Sequence, residues 1–134
     1  MSKHILFMCV ANSARSQMAE GLARAMAPAG VMISSAGSTP TSVRPEAVEA
    51  LSHKGIDIST HFSKTVDDID AESVTTVITL CAQEVCPTFL RAVEQIHWGL
   101  PDPAAVGGSP EERLEAFCEV RDEIERRLKV YFTK

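Results

Sequence analysis

Residues 4–20, His4-Ile5-Leu6-Phe7-Met8-Cys9-Val10-Ala11-Asn12-Ser13-Ala14-Arg15-Ser16-Gln17-Met18-Ala19-Glu20, decide the fold. The apolar run over 4–9 predicts a strand. Residues 16–26 predict a helix, because Met18, Leu22 and Met26 recur on one stripe. A strand, a tight loop and a helix open an α/β unit, and open α/β sheets bind ligands beyond the carboxyl ends of their strands. Cys9 stands at such an end.

Outward from this stretch the alternation continues. Residues 31–35 predict a second strand and 45–54 a second helix, with Pro45 suited to its first turn and Gly55 to its stop. Residues 74–80, Val-Thr-Thr-Val-Ile-Thr-Leu, are β-branched and nearly continuous, which fits a strand buried on both faces. Residues 94–98 offer a fourth, shorter strand. Ser109-Pro110-Glu111-Glu112 supplies an N-cap, a proline at the first helical position and a glutamate two further on. Leu114, Phe117, Arg121, Ile124, Leu128 and Tyr131 follow at steps of three and four, apolar except for Arg121. Residues 39–43 and 99–108 are the loop-rich stretches. The expectation is an α/β three-layer sandwich, a four-stranded parallel sheet flanked by helices, built as one domain over residues 1–134.

The chain has 134 residues, 45% hydrophobic and 23% charged, enough to bury a core and too apolar for a disordered chain. A net charge of −5 gives no general attraction to nucleic acid or anionic membranes, so an anionic substrate must be held by local groups. No apolar run approaches the roughly 18 residues of a membrane span, and the N-terminus lacks a signal-like segment. A cytoplasmic location is therefore expected. There Cys9, Cys81, Cys86 and Cys118 should be reduced, as reactive or packed thiols rather than a structural framework.

The loop itself carries chemistry. Backbone N–H groups of Val10, Ala11, Asn12, Ser13, Ala14, Arg15 and Ser16, turned inward as an anion nest at a helix N-terminus, would cradle a tetrahedral oxyanion and favour a thiolate at Cys9. Arg15 offers two oxygens a planar fork of donors. Ser16 can donate to the Cys9 sulfur, and Asn12 can brace the loop through local backbone bonds. Chance gives about 0.04 occurrences of Cys-x5-Arg-[Ser/Thr] at this composition. The plainer reading is a buried strand-end cysteine. No Gly-Lys-[Ser/Thr] follows, so nucleotide binding is not indicated.

Cys-x5-Arg-Ser followed by Gln17-Met18-Ala19-Glu20-Gly21 resembles the low-molecular-weight tyrosine phosphatase superfamily, and in particular its arsenate reductase branch. Ser35-Ala36-Gly37, Gly55-Ile56-Asp57-Ile58-Ser59, Thr79-Leu80-Cys81 and His97-Trp98-Gly99 with Asp102-Pro103 extend the likeness over nearly the whole chain. The resemblance implies reduction of arsenate to arsenite, serving arsenic detoxification, with no tightly bound cofactor. It makes Cys9 the nucleophile and Asp102 the general acid for the departing oxygen, where sequence alone would read a turn-forming Asp-Pro. It also implies a thiol relay: Cys81 attacks the Cys9 sulfur, arsenite leaves, and Cys86 then takes over the disulfide for an external reductant, thioredoxin or glutaredoxin/glutathione. Arsenate is the implied substrate, with phosphate and sulfate as competing anions, and a monomer is expected.

Residues five apart in a regular helix are about 7.5 Å apart along its axis. Added to their angular offset, this exceeds the roughly 7 Å limit for a disulfide. A Cys81–Cys86 bond therefore requires residues 82–85 to be looped or to unwind, and Pro87 biases Cys86 away from the helical region. Thioredoxin-coupled relatives place six residues between these cysteines, where this chain has four. That leaves the third relay step and the reductant open, with Cys86 as a bystander thiol the alternative. A zinc site of Cys81, Cys86 and His97 lacks a fourth ligand at a usual spacing. Cys118, beside the last helix's stripe, reads as a packed thiol.

Some relatives hold a potassium ion behind the loop, at positions matching Asn12 and Glu20 plus a Thr and an Asp. Here Phe62 and Lys64 stand at the latter two, which removes oxygen ligands. The Lys64 ammonium would replace the ion if its stem reaches Glu20; a solvated lysine is the alternative. The competing activity is that of a tyrosine phosphatase. Such phosphatases carry aromatic residues just after Asp-Pro, whereas Ala104-Ala105-Val106 follow here.

Overall fold

A computed structural model of the chain describes residues 3–81 and 93–133. Cys86, Pro87 and the segment 82–85, for which looping was expected, lie outside the described residues. Among those described, the order is β1 (Lys3–Cys9), α1 (Arg15–Met26), β2 (Val31–Gly37), α2 (Pro45–Ser52), β3 (Thr76–Cys81), β4 (Glu94–Leu100) and α3 (Pro110–Phe132). Short 3-10 turns occupy Val66–Asp68, Ala71–Ser73 and Pro103–Ala105. The four strands are all parallel, in the order β2-β1-β3-β4. The chain leaves β1 in one direction to reach β2 and lies on the other side for β3, so β1 and β3 flank the switch point where such sheets bind ligands.

Alternation along the strands builds two apolar layers. Ile5, Phe7, Ile78 and Leu80 face Met18 and Leu22 of α1, Leu51 of α2, and Phe117, Ile124 and Leu128 of α3. Leu6, Met8 and Val77 face the other way, toward Val74, Val66, Ile69 and Val93. The stripe expected for α3 is thus its buried face. Its one polar member, Arg121, is buried as well and donates from Nη1 to the Ala50 carbonyl at 2.8 Å, tying α3 to the body of α2. Ser109 caps α3 by accepting from the Glu112 N–H at 3.2 Å while the Glu112 carboxylate accepts from the Ser109 N–H, as the sequence predicts.

The element ends differ from the predicted ones for identifiable reasons. β2 runs on to Gly37 because Ala36 and Gly37 pair with Met8 and Cys9. α2 stops at Ser52, and the chain turns through Gly55 at φ +75°, with the Ile56 N–H returning to the Leu51 carbonyl. β3 begins at Thr76 because Thr75 is engaged by His4: its N–H donates to the His4 carbonyl at 2.9 Å and its hydroxyl accepts from the His4 N–H at 3.1 Å. β4 extends past Trp98 to Leu100, after an irregularity between Thr79 and Cys81.

His4 lies near the amino end of β1, the far end of the sheet from Cys9. It is buried, with Nδ1 2.7 Å from the Ser73 hydroxyl and Nε2 2.8 Å from that of Ser34. Burial holds its pKa below the ordinary 6.5, opposed only in part by Asp70. A depressed folded-state pKa means the neutral ring stabilises the fold fully above the unfolded value, and this contribution is lost as pH falls through the folded one. Urea unfolding between pH 7.5 and 5 should therefore show stability falling below about pH 6.5. His4→Gln should flatten that slope; an unchanged slope would contradict the assignment.

Candidate active site

Three neighbouring strands deliver the site at their carboxyl ends: Cys9 closes β1, Cys81 closes β3, and Asp102 lies two residues beyond the end of β4. Between β1 and α1 the loop bends through Asn12, a non-glycine residue at φ +50°. Asparagine tolerates this left-handed region better than most residues. Ala14 precedes α1 without a capping side chain, and no acidic residue occupies its first turn. The orphan N–H groups of that turn are thereby left to an anion.

A cavity of about 180 Å³ opens above the loop, lined by Cys9, Val10, Ala11, Ser13, Ala14, Arg15 and Asp102. Asn12 and Ser16, expected both to bind the oxyanion and to support the loop, are absent from that lining. Both are fully buried behind it, and their side chains are placed to support the loop. The Ser16 hydroxyl lies 2.9 Å from the Cys9 sulfur and accepts from Asn12 Nδ2 at 2.7 Å. With that acceptor site filled, its single proton is available to the sulfur.

Arg15 is buried under the ends of two strands. Its Nη1 donates to the Leu100 carbonyl at 2.9 Å and approaches that of Leu80 at 3.5 Å, and its Nη2 lies 3.9 Å from Asp102 Oδ2. β3 and β4 thus fix the guanidinium plane before any anion arrives. Asp102 is partly exposed and accepts the Ala104 N–H through Oδ1 at 3.0 Å, so one carboxylate oxygen is anchored while the other faces Arg15. The turn-forming role of Asp-Pro and a place on the cavity wall are therefore compatible. Cys9 and Cys118 are free thiols, whereas Cys81 is buried and disulfide-bonded.

The sequence pattern of the low molecular weight phosphotyrosine protein phosphatase family matches residues 4–134. An arsenate reductase of Halalkalibacterium halodurans is 42% identical over 131 residues, covering 96% of this chain and 94% of its own. The chain belongs to this family, within its arsenate reductase branch. Among solved structures, the arsenate reductase of Archaeoglobus fulgidus superposes with a TM-score of 0.83 at 27% identity, covering 97% of this chain and 99% of that one. A thioredoxin-dependent arsenate reductase of Corynebacterium glutamicum superposes with a TM-score of 0.67 at 29% identity, over 97% of this chain and 63% of that one.

Directly after Asp102, Pro103–Ala105 form a tight turn with no aromatic side chain. Tyr131 sits at the opposite end of the sheet, its ring 4.7 Å below the Lys3 ammonium. Lys3 and Cys9 bound a seven-residue strand, roughly 20 Å long. Behind the loop, the buried Glu20 carboxylate meets Arg24 at 2.7 Å and Lys64 at 3.6 Å and also accepts from the Ser35 hydroxyl. The Lys64 stem does reach Glu20, and little of its side chain is exposed. Among the described residues no cluster of three or more His, Cys, Asp or Glu side chains offers a metal site.

A strap over residues 61–64 clasps the loop from behind; the sequence placed Phe62 and Lys64 there but gave no role to His61 or Ser63. The Ser63 hydroxyl donates to the Asn12 carbonyl at 2.7 Å, and the Lys64 N–H donates to Asn12 Oδ1 at 2.9 Å. Gln17, buried on α1, donates to the same Oδ1 at 2.9 Å. A fully polar residue facing inward from the first turn of a helix was the available signal. Asn12 is therefore braced chiefly through its side chain and by distant backbone, rather than by local backbone bonds.

Gly37 closes the other side. A Cβ there would overlap the Val10 carbonyl oxygen and come within 2.8 Å of the Cys9 oxygen and 2.9 Å of the Asn12 nitrogen. All three are backbone atoms of the cradle and cannot swing aside. Gly37→Ala should cost about 1–3 kcal/mol of stability and weaken phosphate binding to the loop, measurable by calorimetry; unaltered phosphate affinity would show that the loop does not depend on this contact.

Proposed function

We propose that this chain reduces arsenate to arsenite in the bacterial cytoplasm, with Cys9 as nucleophile. The observation that carries the proposal is a free thiol on a small cavity whose wall also holds Arg15 and Asp102, with a second cysteine, Cys81, ending the adjacent strand. At about 180 Å³ the cavity is smaller than the roughly 300 Å³ at the low end of ligand pockets, which suits an inorganic oxyanion over an aryl phosphate. The identity to arsenate reductases supports the same substrate.

Arg15 and the backbone N–H groups of the loop hold the arsenate oxygens, and the Cys9 thiolate attacks arsenic. Asp102 donates a proton to the departing oxygen, which leaves as water. The Cys81 thiolate then attacks the Cys9 sulfur; the arsenic–sulfur electron pair stays on arsenic, arsenite departs, and a Cys9–Cys81 disulfide remains. Cys86 attacks Cys81 and frees Cys9. A disulfide at Cys81 beside a free Cys9 supports that order. The thioredoxin dependence of the Corynebacterium glutamicum relative supports thioredoxin as reductant, with glutaredoxin/glutathione as the other route. The site needs no contribution from a second subunit, and we read the chain as a monomeric, single-domain enzyme without a resident cofactor or metal. Lys64 supplies the positive charge that potassium provides in some relatives.

Phosphate-ester hydrolysis is the second reading, favoured by the cradle and acid that both reactions share. Arsenite formation from arsenate, measured with thioredoxin and separately with glutaredoxin/glutathione, decides between them. Cys9→Ser and Cys81→Ser should abolish turnover, and Asp102→Asn should lower kcat by about 10²–10⁴-fold. Full reduction by Cys81→Ser would reject the relay, and aryl-phosphate turnover without arsenate reduction would favour the phosphatase. Exchanging sodium for potassium should leave the rate of the wild type unchanged; strong activation by potassium would contradict the role given to Lys64.

A further inference from the structure

The polar groups behind Cys9 form a single file, and the protons along it have one consistent direction. Gln17 Nε2 is surrounded by oxygens: Asn12 Oδ1 at 2.9 Å, the Phe62 carbonyl at 3.0 Å and the Asn12 carbonyl at 3.2 Å. That end of the amide must be its NH₂, because a flipped amide would set oxygen against three acceptors. Gln17 Oε1 therefore faces His61 Nδ1, 3.1 Å away, and Nδ1 must carry a proton to bond it. Asn12 is oriented in the same way. Its Oδ1 receives both Gln17 and the Lys64 N–H, so its NH₂ faces Ser16. Ser16 has one proton left, and the sulfur is 2.9 Å away.

We infer that His61 is a positioning residue for the Cys9 thiolate, acting through a one-way donor chain from its Nδ1–H to Gln17, Asn12, Ser16 and the sulfur. The inference rests on reading Cys9 as the nucleophile and extends its support to a strap 52 residues further along the chain. Each link orients the next donor, and bonds in such a file polarise one another in the same direction. Neither strap nor α1 is sufficient alone: His61 fixes Gln17, and Gln17 with the strap backbone fixes Asn12.

The charged groups around His61 do not interrupt the chain. Glu20 and Arg24 face it from α1, and Lys64 and Asp57 from its own segment. Burial is the largest influence and lowers its pKa, with Arg24 and Lys64 adding to this effect and Glu20 and Asp57 opposing it. At neutral pH the ring is the neutral Nδ1–H tautomer, and in acid the imidazolium also donates from Nδ1. The direction of the file is the same in both states.

The test is the pH profile of iodoacetamide alkylation of Cys9 in the fully reduced protein, resolved by peptide mass spectrometry with Cys118 as internal reference. His61→Leu should move the Cys9 midpoint upward, lowering the rate below that midpoint by about three- to tenfold. His61→Asn, which returns an N–H close to the Nδ1 position, should restore most of the loss. Gln17→Met should reproduce His61→Leu, and is read in its place if that variant does not fold. A His61→Leu midpoint equal to that of the wild type, even with a lowered Tm, overturns the inference, as does a His61→Asn profile matching His61→Leu. A wild-type Cys9 no more reactive than Cys118 would instead remove the reading of Cys9 as nucleophile.

Discussion

Asn12 holds a left-handed backbone turn in a fully buried position, and the carboxyl end of the sheet is organised around keeping it there. Only at that turn does the chain leave β1 and re-enter α1 within five residues, bringing Cys9 and Arg15 onto one cavity wall. The conformation is costly for an L-residue, though less so for asparagine. The side chain offsets the cost by bonding Ser16, Gln17 and the Lys64 N–H, and the carbonyl is held by Ser63. Gly37 lets β2 press against the turn from the other side, where any side chain would meet the loop backbone. Support of this kind fixes donor directions before an anion binds, which is where an oxyanion site gains most of its strength.

Charge is arranged in two separate layers about that turn. In front, Arg15 is pinned by carbonyls of β3 and β4 and faces Asp102. Behind, Glu20 is enclosed by Arg24, Lys64 and Ser35. The chain as a whole carries a charge of −5, so attraction for an oxyanion has to be local. Burying Glu20 beside two cations keeps its negative charge from opposing the cradle. The Lys64 ammonium also lies over the Phe62 ring, 5.0 Å from its centre, which restricts a long side chain that would otherwise sample solvent.

Much of this was legible because it is written in local pattern. The strand–loop–helix from His4 to Met26, the capping box at Ser109 and the stripe from Leu114 to Tyr131 each depend on residues a few positions apart. The parallel four-stranded sheet and the clustering of Cys9, Cys81 and Asp102 followed from strand ends and resemblance, whereas the strand order β2-β1-β3-β4 did not. What the pattern did not contain was the long-range bracing. Nothing in the spacing shows that Gln17 and Ser63 converge on Asn12 with His61 behind Gln17, because the strap lies more than 40 residues from the loop and α1, and no periodicity links them. Asn12 and Ser16 belonged to the cradle by sequence position, yet their side chains turn behind it, since a loop that aims its amides at an anion must point some side chains elsewhere. Arg121 broke an apolar stripe without leaving the core, because a carbonyl of α2 was there to receive it.

The central claim is that one chain supplies both the nucleophile and the electrons. A single turnover of the fully reduced protein with excess arsenate, in the absence of any external reductant, tests it directly. Arsenite released is counted per mole of protein, and disulfides are mapped by mass spectrometry. The account predicts one arsenite per chain and an oxidised Cys81, with Cys9–Cys81 trapped when Cys86→Ser is used. No arsenite from the reduced wild type, or one equivalent from Cys81→Ser, would contradict it.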